Sequence, residues 1–374
     1  MPKLKAAVFC CTLVLMGAGV ALAEATSSPT VVVLIDLTAA EAILGAATSD
    51  PAHAAESADA ALELAPVTAM IAKEHKYNVN ASAATFKADV IAAASGLPTR
   101  VFPFKELRDD PKPARDMLVS LRSSGAEIAK RLSDGLQSFA PDGTAISATL
   151  IILLGSNQYG WVPDQKSTAF YADVGRHLGD VDGLIALAAH ELFHVVQGFS
   201  QPEWGPLFVE LPKTAPQEVR IRHQLRAALT NLVLEGMATY VGDPDAWGAT
   251  HRGFDHDKRE YARELARNSE TFALFDTIIY RLARDSDAPQ DFLLSIGFGG
   301  SWDQTGYYVG YQMAKAIDRF LGRDRLRALV ARTPEEFLGD YITVAKAHPD
   351  DPAVKLLAKP TIATVQYLTT HPGP

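Results

Sequence analysis

The sequence predicts an α+β chain that is predominantly helical and carries a small sheet. Helix-favouring stretches dominate it: alanine-rich sequence from about Ala39 to Ala94, then Ala114 to Phe139 and Gln217 to Val241. Only three runs read as strands, Thr30 to Leu37, Ala148 to Leu154 and Thr168 to Val174. A further helical pattern surrounds the pentapeptide HELFH, His190 to His194. No internal repeat or low-complexity tract is present.

Lys3 and Lys5 precede an apolar run from Ala6 to Val20 and the small-x-small triplet Ala21-Leu22-Ala23, the pattern of a secretory signal cleaved before Glu24. The run is short for a bilayer-spanning helix, so the expectation is an extracytoplasmic protein, periplasmic or secreted, with no stable membrane anchor. Both cysteines, Cys10 and Cys11, fall inside that segment. The mature chain then has no disulfide and no thiolate metal ligand, and its stability must come from its core. Of 35 basic and 44 acidic residues, the segment holds two basic and no acidic ones, which leaves a mature formal charge of 33 − 44 = −11. That balance speaks against a nucleic-acid partner. The expected organisation is a signal over 1–23, a mostly helical region over 24–145 and a catalytic region over 146–374.

Thr30 to Leu37 is a run rich in β-branched residues and predicts a buried strand. The alanine-rich stretch after it breaks near Asp50-Pro51 and Tyr77-Asn78, and four prolines between Gly96 and Pro113 predict an extended connection. The helix from Ala114 stops before Pro141-Asp142-Gly143. Ala148 to Leu154 is a second buried strand, closed by Gly155; Thr168 to Val174 is a shorter one, placed at the sheet edge where it would pair with an extended peptide. Asp180 is a fitting N-cap for the HELFH helix, and Gly198 a fitting stop. Val181, Ile185, Ala188, Leu192, Val195 and Phe199 give that helix an apolar stripe for a core, while Gly183 and Ala186 leave room beside the histidines.

On a helix, His190 and His194 lie about 40° apart around the axis and one turn apart, so both rings can grip one metal ion. Glu191 points to the side, where it can hold water without being a ligand. A catalytic zinc takes three protein ligands and leaves one position open. The metzincin pattern is excluded, because Gln197 and Ser200 stand where it requires glycine and histidine. The third ligand is then a glutamate: Glu203, Glu210, Glu218 or Glu235. Glu235 is the strongest, a carboxylate in the otherwise apolar Leu232-Val233-Leu234-Glu235-Gly236-Met237-Ala238, where a charge needs a partner. Gly236 and Ala238 would let this helix approach the HELFH helix closely. Glu218 sits in what reads as an exposed first turn.

HELFHVVQ followed some forty residues later by LEGMATY resembles the gluzincin side of the HExxH metallopeptidases, in particular bacterial zinc-dependent peptidase families whose second motif reads EGxAxY. The resemblance implies a zincin-like catalytic region. It implies one catalytic zinc ion bound by His190, His194 and Glu235, with Glu191 as general base on a peptide or protein substrate. It extends to Gly306-Tyr307-Tyr308-Val309-Gly310-Tyr311-Gln312-Met313. Tyr308 is the expected donor to the oxyanion, with Tyr307 and Tyr311 as rivals. Asn231 and Thr239 lie on the helical face of Glu235 and are placed to orient it. His177, His223, His251 and His256 are competing metal ligands of lower rank. Two other functions fit the same motifs: a zinc-containing scaffold without turnover, which the presence of Glu191 argues against, and a zinc hydrolase of a non-peptide bond.

Overall fold

A computed structural model of the chain describes residues 28–162, 167–201, 205–209, 211–248, 255–286, 288, 290–299 and 304–372. The signal-like segment 1–23, Glu203, Glu210 and His251 lie outside the described residues, as does the side chain of His256. In chain order the elements are β1 (Thr30–Asp36), α1 (Thr38–Ala47), α2 (Ala54–Leu62), α3 (Ala65–His75), α4 (Ala83–Ala94), α5 (Phe104–Asp109), α6 (Lys112–Gln137), β2 (Ala145–Leu153), β3 (Gly160–Trp161) and β4 (Ala169–Asp173). They continue as α7 (Val181–Ser200), α8 (Gln217–Val241), α9 (Pro244–Trp247), α10 (Asp255–Ala266), α11 (Asn268–Leu282), α12 (Gln290–Phe298), α13 (Thr305–Leu321), α14 (Arg323–Leu329), α15 (Pro334–Ala347) and α16 (Lys359–Thr370). The chain is thus mostly helical with one small sheet.

The sheet has the order β1-β2-β4-β3. β1 and β2 run parallel from Thr30↔Ala145 to Asp36↔Ile151, β2 and β4 run parallel, and β3 closes antiparallel on β4 at Tyr171 and Ala172. β1 is an edge strand with one buried face: Val31 and Val33 are in the core, whereas Val32 and Leu34 are 44% and 54% exposed. A run so rich in β-branched residues reads as buried on both faces, but only one face of this strand is buried. Its free edge is blunted by α6, whose Ser133 Oγ accepts from Val33 N at 2.9 Å. β4 is an interior strand and not the edge that the sequence suggested, since β3 covers it. β2 spans the 145/146 boundary and pairs with β1 along that strand's whole length, so the regions on either side share one sheet and one core.

Between β1 and β2 the alanine-rich sequence forms α1 to α4, with an additional break at Glu63–Leu64 ahead of Pro66. The proline-rich connection contains α5, a short helix that the proline count obscured. It is held by the buried Asp89 carboxylate, which accepts from the main-chain N–H groups of Arg100, Val101 and Phe102 at 2.8–2.9 Å. Phe86, Phe102 and Phe104 pack together there with ring centroids 5.0–5.5 Å apart.

The helices that matter for function are layered on the sheet. α7 packs against β2, β4 and α6 on one side and α8 on the other; α8 in turn packs on α13. Asp180 caps α7 by accepting from Gly183 N at 2.9 Å, and the helix continues two residues past Gly198 to Ser200. Ile185, Ala188 and Leu192 of the apolar stripe are buried, while Phe199 at its end is exposed. α8 is buried along most of its length. Its Gly236 meets Gly310 of α13: a Cβ built on Gly236 would lie 2.2 Å from Gly310 Cα, and one on Gly310 would lie 2.3 Å from Leu232 O. The close approach expected of Gly236 is therefore made to α13, not to the HELFH helix. Tyr240, last residue of LEGMATY, ties the same two helices by donating to Asp318 Oδ2 at 2.6 Å, a carboxylate that Arg323 also holds. The turn from β4 into α7 buries His177 completely, and that burial holds its imidazole down at about 4, with Asp180 opposing the shift.

Gly236→Ala and Gly310→Ala are each expected to lower stability by about 1–3 kcal/mol, because backbone rather than a movable side chain blocks the new methyl group. The double variant should cost less than the sum, since the first substitution already separates the helices. Unchanged thermal midpoints would contradict the backbone contact. For His177 the unfolded chain takes up a proton near 6.5 and the folded one near 4. Between those values the unfolded state binds the extra proton, so stability falls as pH falls, by about 1.4 kcal/mol per pH unit from this group. His177→Gln should flatten the denaturant midpoint against pH over that window, and an unaltered slope would show that His177 does not titrate as described.

Candidate metal centre

The middle of α7 and the last turns of α8 bring three donor side chains together. His190 Nε2 and His194 Nε2 each lie 3.4 Å from Glu235 Oε2, and the ligand atoms of all three residues fall within 4.8 Å of one another. The two rings are close to perpendicular, at 83°, with centroids 5.0 Å apart. Donor atoms about 2.0–2.2 Å from a tetrahedral zinc lie about 3.3–3.5 Å from each other. The two 3.4 Å spacings match that edge, and two imidazoles with one carboxylate are a borderline-soft donor set suited to zinc, so these residues fit the ion.

Electrostatics point the same way. Burial by itself would lower the pKa of His194, but the Glu235 carboxylate outweighs it and raises the imidazole to about 9; Glu191 and Gln197 add to the rise. Burial pushes Glu235 up, and the two imidazoles overcome it and hold its carboxyl well below the usual carboxylate range. A carboxylate this buried stays ionised only beside positive charge, which either protons on the imidazoles or a metal ion can provide. Glu191 is half-buried on the next turn position and makes no hydrogen bond or ion pair among the described residues. Its negative charge adds to the upward push on His194.

The structure brings together His190, His194 and Glu235, and they form the one such group of metal-ligating side chains among the described residues. Glu218 is elsewhere, on the surface, engaged by Arg222 at 3.0 Å and the Tyr367 hydroxyl at 2.7 Å. His223 Nε2 is paired with Val209 O at 2.8 Å. Thr239 donates back to the main-chain carbonyl of Glu235 and does not orient its carboxylate, and Asn231 makes no hydrogen bond among the described residues.

Of the tyrosines, Tyr307 is the one beside the cluster, its ring nearly parallel to that of His190 (14°) with centroids 6.2 Å apart. The ring of Tyr308 lies against Tyr261, and the Tyr311 hydroxyl is engaged by Asp243, donating to its Oδ2 at 2.7 Å. Two further residues shape the centre without having been singled out for it. Gly242, the C-cap of α8, seats against α7: a Cβ there would come within 2.7 Å of both Ala186 O and His190 Cβ, so the room beside Ala186 is filled by this chain turn, while that at Gly183 is taken by the capping Asp180. Gln197 is wholly buried, with Oε1 2.8 Å from His194 Nδ1 and Nε2 3.0 Å from Leu234 O. Its position three residues after His194, on nearly the same helical face, was the available signal.

A family model described as "Putative zinc dependent peptidase (DUF5700)" matches residues 59–350. The match takes in all three donors, Glu191, Gln197 and Tyr307, and leaves out β1 and α16. No curated protein and no solved structure matches the chain.

Proposed function

We propose that this chain, which belongs to that family of zinc-dependent peptidases, hydrolyses peptide bonds at the centre formed by His190, His194 and Glu235, with Glu191 as general base. The observation that carries the reading is the convergence of three donor atoms within 4.8 Å, two of them on the helix that also bears Glu191. Three protein donors are what a catalytic zinc site offers; a structural one closes with four. One zinc ion held there supplies a Lewis acid that polarises a scissile carbonyl and acidifies water.

The chain's own residues handle the protons. Glu191 accepts the proton released by the attacking water, then delivers it to the nitrogen of the departing amine. With no hydrogen bond to another described side chain, its carboxylate can turn from one to the other. Tyr307, beside His190, donates to the oxyanion that develops on the substrate carbonyl. This assignment replaces Tyr308, whose ring packs against Tyr261. The substrate is a peptide or protein, and the signal-like segment 1–23 supports action outside the cytoplasm.

Zinc content and turnover of a mixed fluorogenic peptide library test the assignments separately. Glu191→Gln should keep wild-type zinc and lose about 10²–10⁴-fold in kcat/KM. Glu235→Ala should lose zinc. Full zinc content in Glu235→Ala, or undiminished turnover in Glu191→Gln, would sink the corresponding role. Tyr307→Phe should lower kcat by about 10²-fold at full zinc content, while Tyr308→Phe stays near wild type; the reverse order would return the oxyanion role to Tyr308.

A further inference from the structure

Gln197 makes two hydrogen bonds in an environment that excludes water, and together they leave only one arrangement of protons. A main-chain carbonyl can only accept, so the atom facing Leu234 O at 3.0 Å is the amide NH2 of Gln197. The amide oxygen therefore faces His194 Nδ1 at 2.8 Å. An amide oxygen also can only accept, so Nδ1 carries a proton. In the neutral imidazole this leaves the lone pair on Nε2, the nitrogen that lies 3.4 Å from Glu235 Oε2. Turning the amide over would set oxygen against oxygen at Leu234: the amide NH2 could still donate to an unprotonated Nδ1, but the bond to Leu234 O would be exchanged for two opposed acceptors in a site closed to water.

From this geometry we infer that Gln197 is a positioning residue for the metal centre, fixing the tautomer and ring rotation of His194 while fastening α7 to α8 one residue before Glu235. The inference rests on the zinc reading above for its consequence, though not for its geometry. One side chain sets ligands on both helices, His194 through its ring and Glu235 through the carbonyl next to it in the chain. The site is thereby preorganised before any ion arrives. The partner is an amide and not the carboxylate that often supports a metal-bound histidine, so it orients the ring without adding negative charge to a centre that already contains Glu235.

Three forms of the full chain test this: wild type, Gln197→Met, which removes both bonds at similar volume, and Gln197→Glu, which keeps an acceptor for Nδ1–H but loses the donor to Leu234. The readouts are zinc affinity by competition with a chelator and the exchange rate of the His194 imidazole N–H proton by NMR, with and without zinc. Wild type should show a slowly exchanging Nδ1 proton in both states. Gln197→Met should lose that protection and bind zinc about 10–100-fold more weakly. Gln197→Glu should retain the protected proton and bind zinc with an affinity between the other two. A protected Nδ1 proton in Gln197→Met, or its loss in Gln197→Glu, overturns the inference whatever the zinc result. Wild type that binds no zinc yet shows the protected proton would count against the metal reading alone.

Discussion

A carboxylate inside a helix that is itself buried is the constraint on which the rest of this structure depends. Glu235 sits in α8 with hydrophobic neighbours on both sides in the chain, and taking such a group out of water costs several kcal/mol unless opposite charge meets it. The two imidazoles of α7 meet it. That pairing dictates that α7 and α8 lie side by side at this level, which explains why α8 ends in Gly242: any side chain there would strike Ala186 and His190. It also explains why the opposite flank of α8 is smoothed by Gly236. With α7 fixed on one side by the ligands, α13 must come in close on the other to complete the burial of the helix, and only a glycine pair allows that approach.

The candidate metal centre was largely legible in the sequence because it rests on local patterns. Two histidines four apart and a glutamate in an apolar helix are visible without coordinates, since helical periodicity and the cost of a buried charge speak for themselves. The sheet was less legible. β4 reads the same at an edge or in the interior, and the strand that covers it, β3, is two residues long and has no period to detect. β1 reads as buried because its five central residues are all apolar, although alternate ones face outward. These are facts about neighbours, which lie far away in the chain.

The choice between Tyr307 and Tyr308 shows where sequence reasoning stops. Adjacent residues on a helix point about 100° apart, so the decision needs the rotation of α13 about its axis. The Gly236–Gly310 contact supplies it. With Gly310 against α8, Tyr307 lies one turn earlier and about 60° round, on the side of the cluster, while Tyr308 lies about 160° round and faces α10. LEGMATY itself divides in the same manner: Glu235 serves α7, Gly236 serves α13, and Tyr240 reaches Asp318 to hold α13 in place. The motif is as much a packing code as, on the proposed reading, a metal-binding one.

Burial is graded across the centre in the way the proposed roles would require. His194 and Glu235 are almost fully enclosed, and Gln197 behind them entirely so, which would favour a fixed ligand geometry and a strong field at a bound ion. His190 is more open, and Glu191 and Tyr307 are half-buried at the rim. Groups that exchange protons with water and substrate need access, whereas groups that only hold a cation gain from exclusion of water. The rim is also where backbone strain is found. Gln304 enters α13 at φ 48°, the one non-glycine residue at positive φ among those described, three residues before Tyr307. A left-handed conformation costs such a residue about 1–2 kcal/mol. It redirects the chain so that the first turn of α13, and with it Tyr307, starts beside His190, and the contact of Gly310 with α8 holds the helix to that course.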